Sequence, residues 1–253
     1  MAAPTTLFIA CQEGQDTIVS TLLAHGAAVN QATAKGATSL HIACQKGHDT
    51  IVSTLLTHGA AVNQATDVGS TPLLIACRQG HDTIVSTLLA HGAAVNQATD
   101  DDTTPLHIAC HKGHDTIVSM LLAHGAAVNQ AMNVGCTPLL IACQYGHDTI
   151  VSTLLTHGAA VNQATDDDTT PLLFACQEGH GTIVSTLLAH GAAVNQAMDG
   201  GGAPLFFACQ QGHDTIVSTL LAHGAAVNQA TDDGVALLFI ACQYGHGTIV
   251  STL

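Results

Sequence analysis

Tryptophan is missing from this chain, and aromatic residues make up only 3% of its 253 positions. Charge is also scarce at 9%, with four Lys or Arg against 18 Asp or Glu and a formal net charge of −14. The aromatic shortage argues against a large single-core enzyme, whose interior usually rests on bulky side chains. Four cations cannot neutralise a run of phosphates, and nucleic-acid affinity comes largely from Lys and Arg displacing counterions. The same deficit disfavours anionic membrane surfaces. A run of about 18 apolar residues, the length needed to span a bilayer, is absent as well. The opening "MAAPTTLFIACQEG" has neither the basic n-region nor the long apolar h-region of a secretory leader. These absences predict no nucleic-acid partner, no membrane insertion, and residence in the cytoplasm or nucleus.

What the chain does have is 47% hydrophobic side chains, mostly small or aliphatic, arranged with a period of 33. "DTIVSTLLAHGAAVNQA" spans 16–32 and returns unchanged at 82–98 and 214–230. It also recurs with one change at 49–65, 115–131, 148–164 and 181–197. Cys11, Cys44, Cys77, Cys110, Cys143, Cys176, Cys209 and Cys242 mark the same interval. A fixed period of this size indicates stacked supersecondary units, none of which can bury its apolar face alone. The expected units are approximately 1–32, 33–65, 66–98, 99–131, 132–164, 165–197, 198–230 and an incomplete 231–253, forming one solenoid over 1–253.

Residues 33–65 show how a unit should fold. Thr38 suits an N-cap, and the equivalent slots Thr71-Pro72 and Thr104-Pro105 join a capping hydroxyl to Pro at the first helical position. Leu40, Ala43 and Cys44 fall on one face of a short first helix, which Gly47 ends in the left-handed conformation. Asp49-Thr50 opens a second helix at its positive end. Ile51, Val52, Leu55 and Leu56 form its buried stripe, and Gly59 terminates it. "AAVNQATDVGST" has no helical period and reads as an extended loop or hairpin. The predicted unit is helix, turn, helix, projecting loop.

"TPLHIACHKGHDTIVSMLLAHGAAVNQA" at 104–131 resembles the ankyrin repeat in its TPLH, Ala-rich first helix, GH, IV..LL and GA.VN elements. The resemblance covers essentially the whole chain. It implies an all-α repeat solenoid of antiparallel helix pairs with projecting β-hairpin or loop fingers, curved, and binding proteins on its concave side. The chain departs from the family pattern at Ala28 and Ala61, where Asp is frequent, and at Ser39, Ala203 and Ala236-Leu237, which interrupt Thr-Pro.

Comparing units within the chain separates fixed from variable positions. Variation concentrates at the finger tips (34–37 and equivalents) and at two residues ending each first helix. By resemblance these slots contact partners. The candidate partner-binding residues are Lys35, Lys46, Arg78, Gln79, Asp101, Asp102, His111, Lys112, Tyr145, Asp167, Asp168, Glu178, Gln211 and Tyr244. All four cations and both tyrosines lie among them. From the fourth unit onward the finger tips carry Asp100, Asp101, Asp102, Asp166, Asp167, Asp168, Asp199, Asp232 and Asp233. A protein partner with basic groups would be steered to that acidic half.

Seventeen histidines and nine cysteines invite a metal reading, but equivalent residues in stacked helices lie about 8–10 Å apart. A disulfide needs Cα atoms within about 7 Å, and zinc needs ligands about 2.0–2.3 Å from one centre. The Cys ladder therefore reads as small core residues, and Cys136, in a finger where a thiol can be exposed and oxidised, reads as incidental. His25, His58, His91, His124, His157, His190 and His223 fall in the last turn of the second helix, where they can cap carbonyls. His48, His81, His114, His147, His180, His213 and His246 occupy the GH position, which the resemblance assigns to tying neighbouring units.

There is no phosphate loop, nucleophile elbow or HExxH, and the Asp triplets lack EF-hand spacing. No catalysis, metal or cofactor is expected. The resemblance also makes Asn30, Asn63, Asn96, Asn129, Asn162, Asn195 and Asn228 candidates for an iron-dependent asparaginyl hydroxylase. The apolar "TTLFIAC" start and the break within a second helix at Leu253 suggest a segment of a longer protein. Lost Thr caps at Ala203 and Ala236, and Gly in place of Asp at Gly181 and Gly247, should weaken the C-terminal end. The function expected is a monomeric, non-catalytic protein-interaction scaffold. The alternatives are a targeting or regulatory arm of a larger enzyme, channel or signalling protein, or a structural spacer.

Overall fold

The computed structural model describes residues 5–253. Residues 1–4, the first part of the stretch read above for a leader, lie outside the described residues. Every regular element among the described residues is a helix, and the helices alternate between first and second members of a pair. The contacts divide the chain into two compact units, Met1–Ala127 and Val128–Leu253.

The first unit contains α1 (Thr6–Gln12), α2 (Asp16–Ala24), α3 (Ser39–Lys46), α4 (Asp49–Thr57), α5 (Pro72–Gln79), α6 (Asp82–Ala90), α7 (Pro105–Lys112) and α8 (Asp115–Ala123). Here α1, α3, α5 and α7 pack side by side, and α2, α4, α6 and α8 form a second row against them. The second unit repeats the plan with α9 (Pro138–Tyr145), α10 (Asp148–Thr156), α11 (Pro171–Glu178), α12 (Gly181–Ala189), α13 (Pro204–Gln211), α14 (Asp214–Ala222), α15 (Leu237–Gln243) and α16 (Gly247–Thr252).

Local chemistry sets the helix limits. Thr71 is extended, and its hydroxyl accepts from the Leu74 N–H while Pro72 occupies the first turn. Thr137 and Thr170 act alike. Ala203 and Ala236 hold the same extended backbone with no side-chain cap. Ser39 stands where most other first helices have Pro, and the helix still starts at the expected cap. Thr38 remains the cap there, and His41 completes a capping box by accepting from the Thr38 N–H at 3.1 Å.

The predicted stripes are the core. Leu40, Ala43, Cys44, Ile51, Val52, Leu55 and Leu56 are all buried, as are their equivalents in α5 to α12. Each fully buried Leu or Ile side chain contributes about 1.5–3 kcal/mol. Because the first-helix face is Ala and Cys, neighbouring helix pairs can approach closely along it.

The fingers take the loop form of the two expected shapes. Each is closed by a bond such as Thr66 N–H to Ser70 O at 3.0 Å, and no β-strand forms among the described residues. Adjacent fingers touch through backbone, with the Asp67 N–H donating to Lys35 O at 3.2 Å. Gly36, at φ +76°, permits that closeness: a Cβ there would lie 2.9 Å from the Thr66 Cα.

Candidate partner-binding surface

Successive helix pairs are joined by two side-chain devices that the fixed sequence repeats. In the first, an asparagine at the end of one pair grips the next. Asn63 donates through Nδ2 to Gly92 O at 3.1 Å and accepts through Oδ1 from the Ala94 N–H at 2.7 Å. Asn30, Asn96, Asn129, Asn162 and Asn195 make the same two bonds. These candidate modification sites are solvent-exposed, but both ends of each carboxamide are engaged.

In the second device, the GH-motif imidazole lies over the glycine that ends the preceding first helix. Gly80 sits at φ +75°, and a Cβ on it would fall 2.7 Å from His114 Cε1. In four places the ring Nε2 also meets a carbonyl of the preceding unit: His48 with Gln12, His180 with Gln144, His213 with Gln177 and His246 with Gln210, at 3.1–3.4 Å. The other histidine set works within its own helix. His25, His58, His91, His124, His157, His190 and His223 each bring Nδ1 to 2.8 Å from the carbonyl four residues back.

Sequence reading missed two histidines in the TPLH slot. His41 and His107 are buried, and each forms a capping box with Thr38 or Thr104. His41 Nε2 also reaches Ser70 O at 3.2 Å, and burial lowers its pKa. The available signal was their place three residues after a capping threonine.

With this frame fixed, the varied residues line the free surface. Lys35, Lys46, Arg78, Gln79, Asp101, Asp102, Lys112, Tyr145, Asp167, Asp168, Glu178, Gln211 and Tyr244 are exposed, and His111 is half-buried. In the first unit, grooves open between neighbouring finger tips. One of about 510 Å³ is lined by Lys35, Asp67, Val68, Ile75 and Arg78 among others. The next, about 400 Å³, is lined by Val68, Arg78, Asp100, Asp101 and Ile108. In the second unit, Val134, Cys136, Asp166, Asp167 and Phe174 line a groove of about 380 Å³. Lys35, Arg78, Asp101 and Asp167 are thereby brought to groove walls, whereas Glu178, Gln211 and Tyr244 line none of these three. Tyr145 and Tyr244 stack on His147 and His246, with ring centroids 6.4 and 6.3 Å apart.

The acidic tips have defined chemistry. The Thr99 hydroxyl donates to Asp101, and Thr165 does the same for Asp167, holding both carboxyls below their usual pKa. Asp102 and Asp168 adopt φ +60°, in the slot where the other fingers have glycine.

The ladder thiols from Cys11 to Cys209 are buried. Burial pushes Cys11 and Cys209 up to about 11, and Cys44, Cys77, Cys110 and Cys176 higher still. Cys136 is half-buried with its pKa raised by desolvation, so its finger position does not leave the thiol fully exposed. Cys242 is exposed rather than part of the core. Among the described residues, no group of three or more His, Cys, Asp or Glu could hold a metal ion. Among the described residues, no helix is long and apolar enough to cross a membrane.

Comparison with known proteins agrees with this architecture. The family model described as ankyrin repeats (3 copies) matches residues 2–66, 61–132, 128–199 and 196–253. The human ASB11 ankyrin repeat domain is similar in structure, with a TM-score of 0.78 and 31% identity over 88% of this chain and 99% of that one. The search of curated proteins gave no match.

Proposed function

Because the chain belongs to the ankyrin repeat family, we propose that it is a non-catalytic scaffold holding protein partners on its first-helix ends and finger tips. One observation carries this reading. Most residues that differ between units are exposed, and Lys35, Arg78, Asp101 and Asp167 among them wall grooves, while those that join units are nearly invariant along the chain. The array acts as a monomer on this reading, in the cytoplasm or nucleus. Its nine free cysteines suit a reducing compartment. Asp166, Asp167, Asp168, Asp199, Asp232 and Asp233, all exposed on fingers of the second unit, would favour a partner with basic groups there. Such capture should weaken as salt rises.

The test is affinity capture from cell lysate with three baits: the parent, a variant with Lys46, Arg78, Lys112 and Tyr145 changed to Ala, and a control. The control changes Ser53, Ser86, Ser119 and Ser152, exposed on the second helices, to Ala. A protein held by parent and control but lost by the first variant supports the reading. Equal recovery by all three leaves a spacer or an arm of a larger protein as the better description.

A further inference from the structure

The two adjoining grooves of the first unit share a wall. Val68, Ser70 and Arg78 line both, with Lys35, Asp67 and Ile75 among the other residues of one, and Asp100, Asp101 and Ile108 among those of the other. Val68 is 64% exposed although it is apolar. Ile75 and Ile108 occupy the same slot of consecutive first helices and are half-buried. The unit therefore presents two apolar slots in line, one repeat apart, with a guanidinium between them.

One repeat is one helix-packing step, about 8–10 Å. A polyproline II segment rises about 3.1 Å per residue with three residues per turn, so every third side chain faces the same way about 9.3 Å on. That period fits the slots. We propose that this surface takes an extended protein segment with apolar side chains at positions i and i+3 and an acidic residue between them. The apolar side chains enter the grooves over Ile75 and Ile108, and the acid meets Arg78. Charge sets the polarity of the fit. Lys46, Arg78 and Lys112 lie in the last turns of three successive first helices, and Lys35 lines the first groove together with Asp67. Asp100 and Asp101 line the second groove and disfavour an acid beyond the second apolar position.

This rests on the scaffold reading above and narrows it to one ligand chemistry in one unit. The test uses the whole chain and fluorescein-labelled 12-residue peptides rich in proline, read by fluorescence anisotropy. Two leucines are placed two, three or four residues apart in otherwise matched sequences, with Glu or Lys between them. The three-residue spacing with Glu should bind best. Moving one leucine out of its slot should weaken binding about tenfold, the low end for burying such a side chain. Replacing Glu by Lys, or Arg78→Ala in the protein, should cost about threefold, as an exposed ion pair does. Val68→Ser removes the shared apolar wall and should weaken the best peptide without moving the unfolding midpoint.

No binding at millimolar peptide, equal binding at every spacing, or indifference to both Arg78→Ala and Val68→Ser overturns the proposal. Lysate capture that still depends on Lys46, Arg78, Lys112 and Tyr145 would then mean that the scaffold reading stands and only the extended-segment chemistry is wrong.

Discussion

Replacing Asn63 by Ala removes one inter-unit clamp and nothing else of substance. Its side chain is exposed, so no cavity forms, and the loss is two hydrogen bonds, to Gly92 O at 3.1 Å and from the Ala94 N–H at 2.7 Å. A net hydrogen bond contributes about 0.5–1.5 kcal/mol, and exposed ones fall at the low end. The expected cost is about 1–2 kcal/mol at the junction between α4 and α6. Repeat arrays can unfold in parts, so a single midpoint can spread such a loss. Site-resolved amide exchange is therefore the sharper assay beside urea unfolding. The Ala94 amide loses its acceptor and should exchange about 5- to 30-fold faster, the factor matching that free energy. Amides deep in α6 should change less. Unaltered Ala94 exchange with an unaltered midpoint would refute the clamp as a source of stacking energy.

Gly80→Ala should destabilise more than Gly59→Ala as measured by urea midpoints. Both glycines have positive φ, worth about 1–2 kcal/mol against Ala, but a Cβ on Gly80 would run into the His114 imidazole, while a Cβ on Gly59 would meet nothing within 4 Å. Equal losses would show that the ring contact is idle. Asp168→Gly should raise thermal stability by about 1 kcal/mol, since it relieves a left-handed aspartate and one of three neighbouring acids; a lowered melting temperature contradicts this. For His41, Nδ1 accepts from the Thr38 N–H, and the folded-state pKa lies below the ordinary value of about 6.5. The folded state binds a proton less readily than the unfolded chain, so this stability is present above about pH 6.5 and is lost as pH falls below it. His41→Leu, which installs the residue found at Leu74, should flatten part of the acid side of the stability profile. An unchanged profile would refute it.

Much of the fold could be read from residues 33–65, because the apolar stripe, the Thr cap and the two glycines each have a local cause. The exposure of Arg78 or Tyr145 was readable as well, since variation between stacked copies marks what neither neighbour touches. Other features depend on partners about 30 residues away. The Asn63 clamp reaches Gly92 and Ala94, and the His41 imidazole reaches Ser70. Val alone does not reveal that Val68 walls two grooves. Cys136 looked exposed because it lies in a finger, yet it is half-buried beside the groove over Phe174. Asp102 and Asp168 could have been found, as they stand where Gly36, Gly69 and Gly135 do.

The central claim is that the variable positions recognise partners while the repeated ones only stack. Hydrogen–deuterium exchange on the chain with a captured partner bound tests this most directly. New protection should fall on finger tips such as 66–70 and 99–103 and on the ends of the first helices near Arg78 and Lys112. The outer second-helix residues near Ser53 and Ser86 should be unchanged. Protection confined to those second helices would contradict the account.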